Sequence, residues 1–259
     1  MFNTSKIVVF DLDETIGNFV ELGMFCDALE KNIKRKLTND EFFNILDIFP
    51  EFLRPNILNI LNFLLDKKQK GKCDKIMIYT NNQGPKSWAQ QISAYFEYKL
   101  GVKVFDQIIA AFKVKGKIVE ICRTSHDKSV GDLLNCTQIP HTTQICFLDD
   151  QYHPLMEHSN VFYINVKPYT YNMKFKDMAE RYYQQIGSDM TKENFLSYIN
   201  NYMGQYNFTV INKDETEIKV DEIISKKIII HLEEFFNNKK RRTRRKRNKR
   251  NKRNLTRRK

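Results

Sequence analysis

The chain has 259 residues, 41% of them apolar, which is room for one α/β domain and an accessory piece around a real core. Its formal charge of +12 is localised: residues 239–259 hold 15 Lys or Arg and no acid, leaving the first 238 residues at about −3. Five scattered cysteines (Cys26, Cys73, Cys122, Cys136, Cys146) lack any ligand spacing, which argues against a zinc site or a disulfide framework and for a reducing compartment.

The first residues offer no secretory h-region, because acidic residues interrupt the apolar run by Asp11, and no later stretch is apolar for long enough to span a membrane. A soluble, intracellular protein without membrane contact is expected. The first strand is predicted over 6–10 and runs directly into Asp11-Leu12-Asp13-Glu14-Thr15. Side chains alternate along a strand, so Asp11 and Asp13 share a face where the extended geometry persists. Carboxylates that close repel one another, and a divalent cation relieves the repulsion. Between 18 and 50, Phe19, Leu22, Phe25, Leu29 and Ile33 recur near helical spacing and predict a helical insert. A helix over 54–66 leads to a strand over 75–79, which ends in Thr80-Asn81-Asn82-Gln83-Gly84. There Thr80 offers a hydroxyl, and the backbone amides that follow would cradle an anion as the chain turns into a helix over 87–100.

A weaker strand over 106–111 precedes Ser125-His126-Asp127-Lys128, where Lys128 opens a helical pattern to 135. The strand over 144–148 delivers Asp149 and Asp150, followed by a short helical pattern at 152–157 and a strand over 161–166. The histidines form no pair at metal-ligand spacing, and His153 is the one that follows the carboxylates closely. This alternation predicts an α/β fold with a doubly wound, mainly parallel sheet whose ligands bind beyond the carboxyl ends of the strands. Helical patterns at 173–185, 192–202 and 221–237 then read as an accessory segment, 171–238. A block of like charge buries no core, so 239–259 is expected to be a disordered arm for nucleic-acid contact or nuclear import. No aromatic residue follows Phe236, so such contact would be independent of base sequence.

Together these segments resemble the haloacid-dehalogenase superfamily of phosphotransferases over roughly residues 5–170. Asp11, Asp13 and Thr15 match its first motif, Thr80 its second, Lys128 its third, and Asp149 with Asp150 its fourth. Asp-Leu-Asp-Glu-Thr, with Leu53-Arg54-Pro55 ahead of a helix, is similar to the carboxy-terminal-domain phosphatases related to NLI-interacting-factor-like proteins. The departure is Thr80-Asn81-Asn82-Gln83, since Thr-Asn-x-Gln is similar to histidinol-phosphate or polynucleotide 3′-phosphatases. The resemblance implies a phosphatase domain over 1–170 with a short helical insert at about 18–53. It also implies Mg²⁺ held by Asp11, the Asp13 carbonyl and Asp149 or Asp150, with phosphoryl oxygens bound by Thr80, Asn81 and Lys128.

The chemistry follows from the residue types. A carboxylate such as Asp11, with an ordinary pKa of about 4, is ionised at neutral pH and needs no activating base. Asp13 would protonate the leaving oxygen and then deprotonate the water that hydrolyses the aspartyl-phosphate, while Thr15 would fix the loop. The expected substrate is phosphoserine or phosphothreonine in a protein such as a polymerase tail of the transcription machinery, because so short an insert forms no large lid. A polynucleotide 3′-phosphatase is the alternative within the same chemistry. A catalytically silent nucleic-acid-binding or scaffold protein is the alternative outside it.

Overall fold

The computed structural model describes residues 5–206, 210 and 213–237; the basic segment 239–259 lies outside them. The strands are β1 (Lys6–Phe10), β2 (Lys75–Tyr79), β3 (Gln107–Ile109), β4 (Lys113–Val114), β5 (Lys117–Ile118), β6 (Gln144–Asp149) and β7 (Val161–Asn165). Five of them form one parallel sheet in the order β3-β2-β1-β6-β7. The apolar runs of β1, β2 and β6 are nearly continuous because both faces of these central strands are covered. Val8, Phe10, Ile76, Ile78, Cys146 and Leu148 point into one layer, and Ile7, Val9, Met77, Tyr79, Ile145 and Phe147 into the other. Each aliphatic side chain buried there contributes about 1.5–3 kcal/mol.

The first layer holds α1 (Val20–Ile33), α2 (Asn39–Ile48), α3 (Ile57–Gln69) and α4 (Lys86–Leu100). The second is thinner and holds α5 (Val130–Thr137), through Val130 and Leu133. The predicted insert is two helices rather than one stretch. Lys34, at φ 56°, stops α1, and Thr38 restarts the chain with a capping box closed by Glu41. Phe25, Leu29, Phe42 and Ile45 bury this insert in the core that covers the sheet face.

The carboxy-terminal helices α6 (Phe175–Gln185), α7 (Lys192–Met203) and α8 (Glu215–Asn237) join the same core through Met178, Phe195, Ile199, Ile228 and Leu232. Lys6 Nζ, at the start of β1, donates to the carbonyls of Phe235 and Phe236 at 2.8 and 2.9 Å. Those are last-turn carbonyls that the helix itself leaves unpaired. The end of α8 is therefore fixed at the amino edge of the sheet, the far end of β1 from Asp11.

Four expectations are corrected. The helical pattern at 152–157 is only a 3-10 turn, Pro154–Met156, because Pro154 can start a turn and nothing downstream continues it. Helix α8 begins at Glu215, six residues before the predicted start, where Asp214 and Glu217 cap each other (2.8 and 3.1 Å). An unforeseen hairpin pairs β4 with β5 around Lys115-Gly116, both at positive φ. Finally, Cys122 and Cys136 form a disulfide with Cα atoms 5.0 Å apart, so the cysteines are not all free; Cys26, Cys73 and Cys146 remain buried thiols. Among the described residues no helix is long and apolar enough to cross a membrane.

Candidate active site

Strand order sets the position of the site. The chain builds β1, β2 and β3 outward in one direction, then returns to lay β6 and β7 on the other side of β1. Ligand crevices form beyond the carboxyl ends of the strands at such a reversal. There the Asp11 amide donates to Leu148 O at 2.8 Å, which sets Asp11 beside Asp149.

The structure brings Asp11, Asp149 and Asp150 together, with one carboxylate oxygen of each within 4.8 Å of the others. Lys128 lies between two of them. Its Nζ donates to Asp11 Oδ1 and, at 2.7 Å, to Asp149 Oδ2. Lys128 is 2% exposed and Asp149 1%, so these charges interact with little solvent screening. Burial pushes Asp11 up to about 6; Lys128 opposes that rise and the charge of Asp149 adds to it. Burial also acts to raise Asp149, but His153 Nε2 at 3.3 Å and Lys128 outweigh it and hold this carboxyl below its ordinary range. Burial would lower Lys128, yet its two carboxylate partners keep it above the usual ammonium value. Asp150 is raised by burial and by Asp11, while its Oδ1 accepts from Thr15 Oγ1 at 3.0 Å. One ammonium among three carboxylates leaves net negative charge, and a hard oxygen-only donor set of this kind suits Mg²⁺.

Asp13 stands apart from that cluster. Its Oδ2 accepts from Asn82 Nδ2 at 2.6 Å, and its Oδ1 is buried without a partner. Burial is the largest influence on this carboxyl and raises it, which favours a proton on the unpartnered oxygen. Thr80, 2% exposed, accepts from the Asn82 amide at 3.0 Å through Oγ1. The expected cradle of amides after Thr80 is thus partly used within the loop, because the Gly84 amide also turns inward, onto Asn82 Oδ1 at 2.8 Å. Asn81 contacts none of the carboxylates, and its Oδ1 is buried and unpartnered.

Two buried arginines brace the loops. Arg54 donates to Thr15 O (2.5 Å), Glu14 O (2.6 Å) and Lys167 O (2.9 Å), and burial pushes it down to about 10. Arg123 donates to Thr80 O (3.1 Å), Ala110 O (2.9 Å) and His126 O (2.9 Å), tying the Thr80 loop to the Lys128 loop. Of these contacts the sequence pointed to Arg54 by its place before Pro55 and to His153 by its nearness to Asp150. It missed Arg123, which carries no local pattern, and it favoured Asn81 over Asn82. Comparison of the sequence with protein-family models and with curated proteins gives no match, so the case for the site rests on this geometry.

Proposed function

We propose that this chain is a Mg²⁺-dependent phosphomonoester hydrolase of the haloacid-dehalogenase type, working through a phosphoryl group carried on Asp11. The observation that carries the reading is Lys128 held between Asp11 and Asp149, with Asp150 in reach and Asp13, whose Oδ1 is buried and unpartnered, close enough to feel the charges of Lys128 and Asp150.

Asp11, pushed up to about 6 by burial, is still mainly ionised at neutral pH and attacks phosphorus in line with the ester oxygen. As the phosphorus–ester bond breaks, Asp13 gives its proton to the leaving oxygen. Asp13 then takes a proton from water as that water displaces Asp11 from phosphorus, which frees orthophosphate and restores both carboxyls. Lys128 and the Thr80 hydroxyl steady the charge on the transferring oxygens. Asp11, the Asp13 carbonyl and Asp150 would hold Mg²⁺; Asp149 contributes mainly by fixing Lys128, since its Oδ1 already accepts from the Gln151 amide at 2.9 Å. The bound ion would offset the repulsion between the nucleophile and the anionic phosphoryl group.

The insert is two short helices, α1 and α2, whose apolar faces are buried in the core, which supports an open mouth and a macromolecular substrate. A phosphoserine or phosphothreonine protein is one such substrate. The 3′ phosphate of a polynucleotide is the second reading, favoured by Asn82, whose bond to Asp13 gives the Thr80-Asn81-Asn82-Gln83 segment a part in the chemistry. The test is Mg²⁺-dependent phosphate release from a phosphoserine heptad-type peptide and from a 3′-phosphorylated oligonucleotide. Release abolished by Asp11→Asn is expected, and release that persists in that variant would sink the reading.

A further inference from the structure

The β4–β5 hairpin has no part in the chemistry above, yet it stands at the edge of the same crevice. Residues 110–119 contain Lys113, Lys115 and Lys117 and no acid, in a body whose first 238 residues carry about −3. Lys115 and Lys117 are exposed and have no ion pair among the described residues, while the half-buried Lys113 holds its Nζ 5.1 Å from the Phe112 ring centre. Lys115 and Gly116 at the tip have φ of 49° and 78°, the two-residue turn whose twist matches the strands. Asn or Gly is the usual choice at the first of these positions; here the chain sets a lysine there, projecting a cation from the tip.

The base of the hairpin is built into the site. The Thr80 amide donates to Ile109 O at 3.0 Å, and Arg123 joins Thr80 O to Ala110 O. Three residues further on the hairpin begins, and the Val119 amide closes it onto Phe112 O at 2.9 Å. The Phe112 ring packs edge-on against His126 at 5.8 Å, two residues before Lys128. The lysines therefore rise between the segments that carry Thr80 and Lys128. Ile118 and Ile121 beside them are 57% and 89% exposed and offer aliphatic contact.

Resting on the reading of the site as a phosphomonoester hydrolase, we propose that this hairpin is a guide for a single-stranded nucleic acid. Lys115 and Lys117 take the internucleotide phosphates next to the terminal phosphate that Asp11 attacks. Lys117 pairs across the hairpin with Val114 and Lys113 with Ile118, so Lys113 lies on the opposite face and the guide is formed by Lys115 at the tip with Lys117. Ammonium groups bind phosphates as point charges without reading bases.

The test measures binding rather than turnover, so it stands apart from the chemistry. Full-length chain carrying Asp11→Asn is titrated with fluorescent 3′-phosphorylated oligothymidylate across a salt series, with and without Lys113→Ala, Lys115→Ala and Lys117→Ala together. Each phosphate contact to a single strand contributes about −0.7 to the salt slope, so losing the Lys115 and Lys117 contacts in the triple substitution should flatten it by about 1.4. Only the difference between the two proteins is read, so the contribution of residues 239–259 cancels. Lys115→Glu alone, at the exposed tip, is the second variant should the triple one fold poorly, and it should weaken binding at low salt several-fold. An unchanged slope and affinity would overturn the proposal. So would loss of binding confined to an acidic phosphopeptide, which would assign the hairpin to a protein substrate. Absence of Asp11-dependent hydrolysis of p-nitrophenyl phosphate by the unaltered chain would instead contradict the underlying reading, whatever the slopes show.

Discussion

Asp13 differs from the other acidic residues of the crevice in having one oxygen tied to Asn82 and the other buried without a partner. Burial raises that carboxyl, which favours its protonated form. Asp13→Asn should lower the rate for an alkyl phosphate about 10²- to 10⁴-fold, and less for p-nitrophenyl phosphate, whose leaving group needs no proton. The pH profile should rise as Asp11 ionises near about 6. Stopped assays from acid to neutral pH would check this limb, and a flat profile would contradict it. Lys128 makes the complementary case. Removing its ammonium leaves Asp11 and Asp149 buried together, so Lys128→Met should destabilise the fold by about 3–5 kcal/mol in urea without divalent cation. A variant as stable as the parent would mean that the carboxylates are less tightly coupled than their burial implies.

At the scale of elements, strands and caps carry most of the information. The central strands were legible because both their faces are buried and the apolar run is therefore unbroken, as in Ile76-Met77-Ile78-Tyr79. The start of α8 was legible in principle from Asp214 and Glu217, spaced as a capping box. The hairpin was not, since strands of two residues have no period to read. Helix α1 adds a pH dependence of its own. Glu21 is 2% exposed; its Oε2 accepts from the Met173 amide at 3.1 Å, and its Oε1 has no partner. Burial pushes it up from its ordinary 4.5 to about 7. The folded state thus binds this proton more tightly than the unfolded chain does. That stabilisation is fully present below about pH 4.5 and is lost as pH rises through about 7. Denaturant midpoints should fall between about pH 5 and 8, by the equivalent of about 2–3 kcal/mol. The fall should be absent in Glu21→Gln, and a parallel fall in that variant would assign it to other groups.

Across the whole molecule, the carboxyl edge of the sheet gathers the reactive side chains and the amino edge anchors α8 through Lys6. Helix α8 therefore ends at the edge of the sheet remote from Asp11. Deleting residues 239–259 should leave turnover of p-nitrophenyl phosphate unchanged while reducing salt-dependent retention on DNA or RNA. A drop in turnover would show that the segment reaches the site. The split between what could and could not be read in the sequence has the same geometric origin. Asp11, Asp13, Thr80, Lys128, Asp149 and Asp150 sit where strands end or helices begin, so one-dimensional patterns locate them. Asn82, Arg123 and the Cys122–Cys136 bridge depend on how loops from β2, β3 and α5 meet across space, and no local pattern announces that.

The central claim is that Asp11 carries the phosphoryl group, and mass spectrometry of the trapped enzyme tests it most directly. Asp13→Asn protein, quenched in acid during turnover of p-nitrophenyl phosphate with Mg²⁺, should carry one hydroxylamine-labile phosphoryl group on the peptide containing Asp11. Phosphate release with no adduct, or an adduct on another residue, would contradict the account.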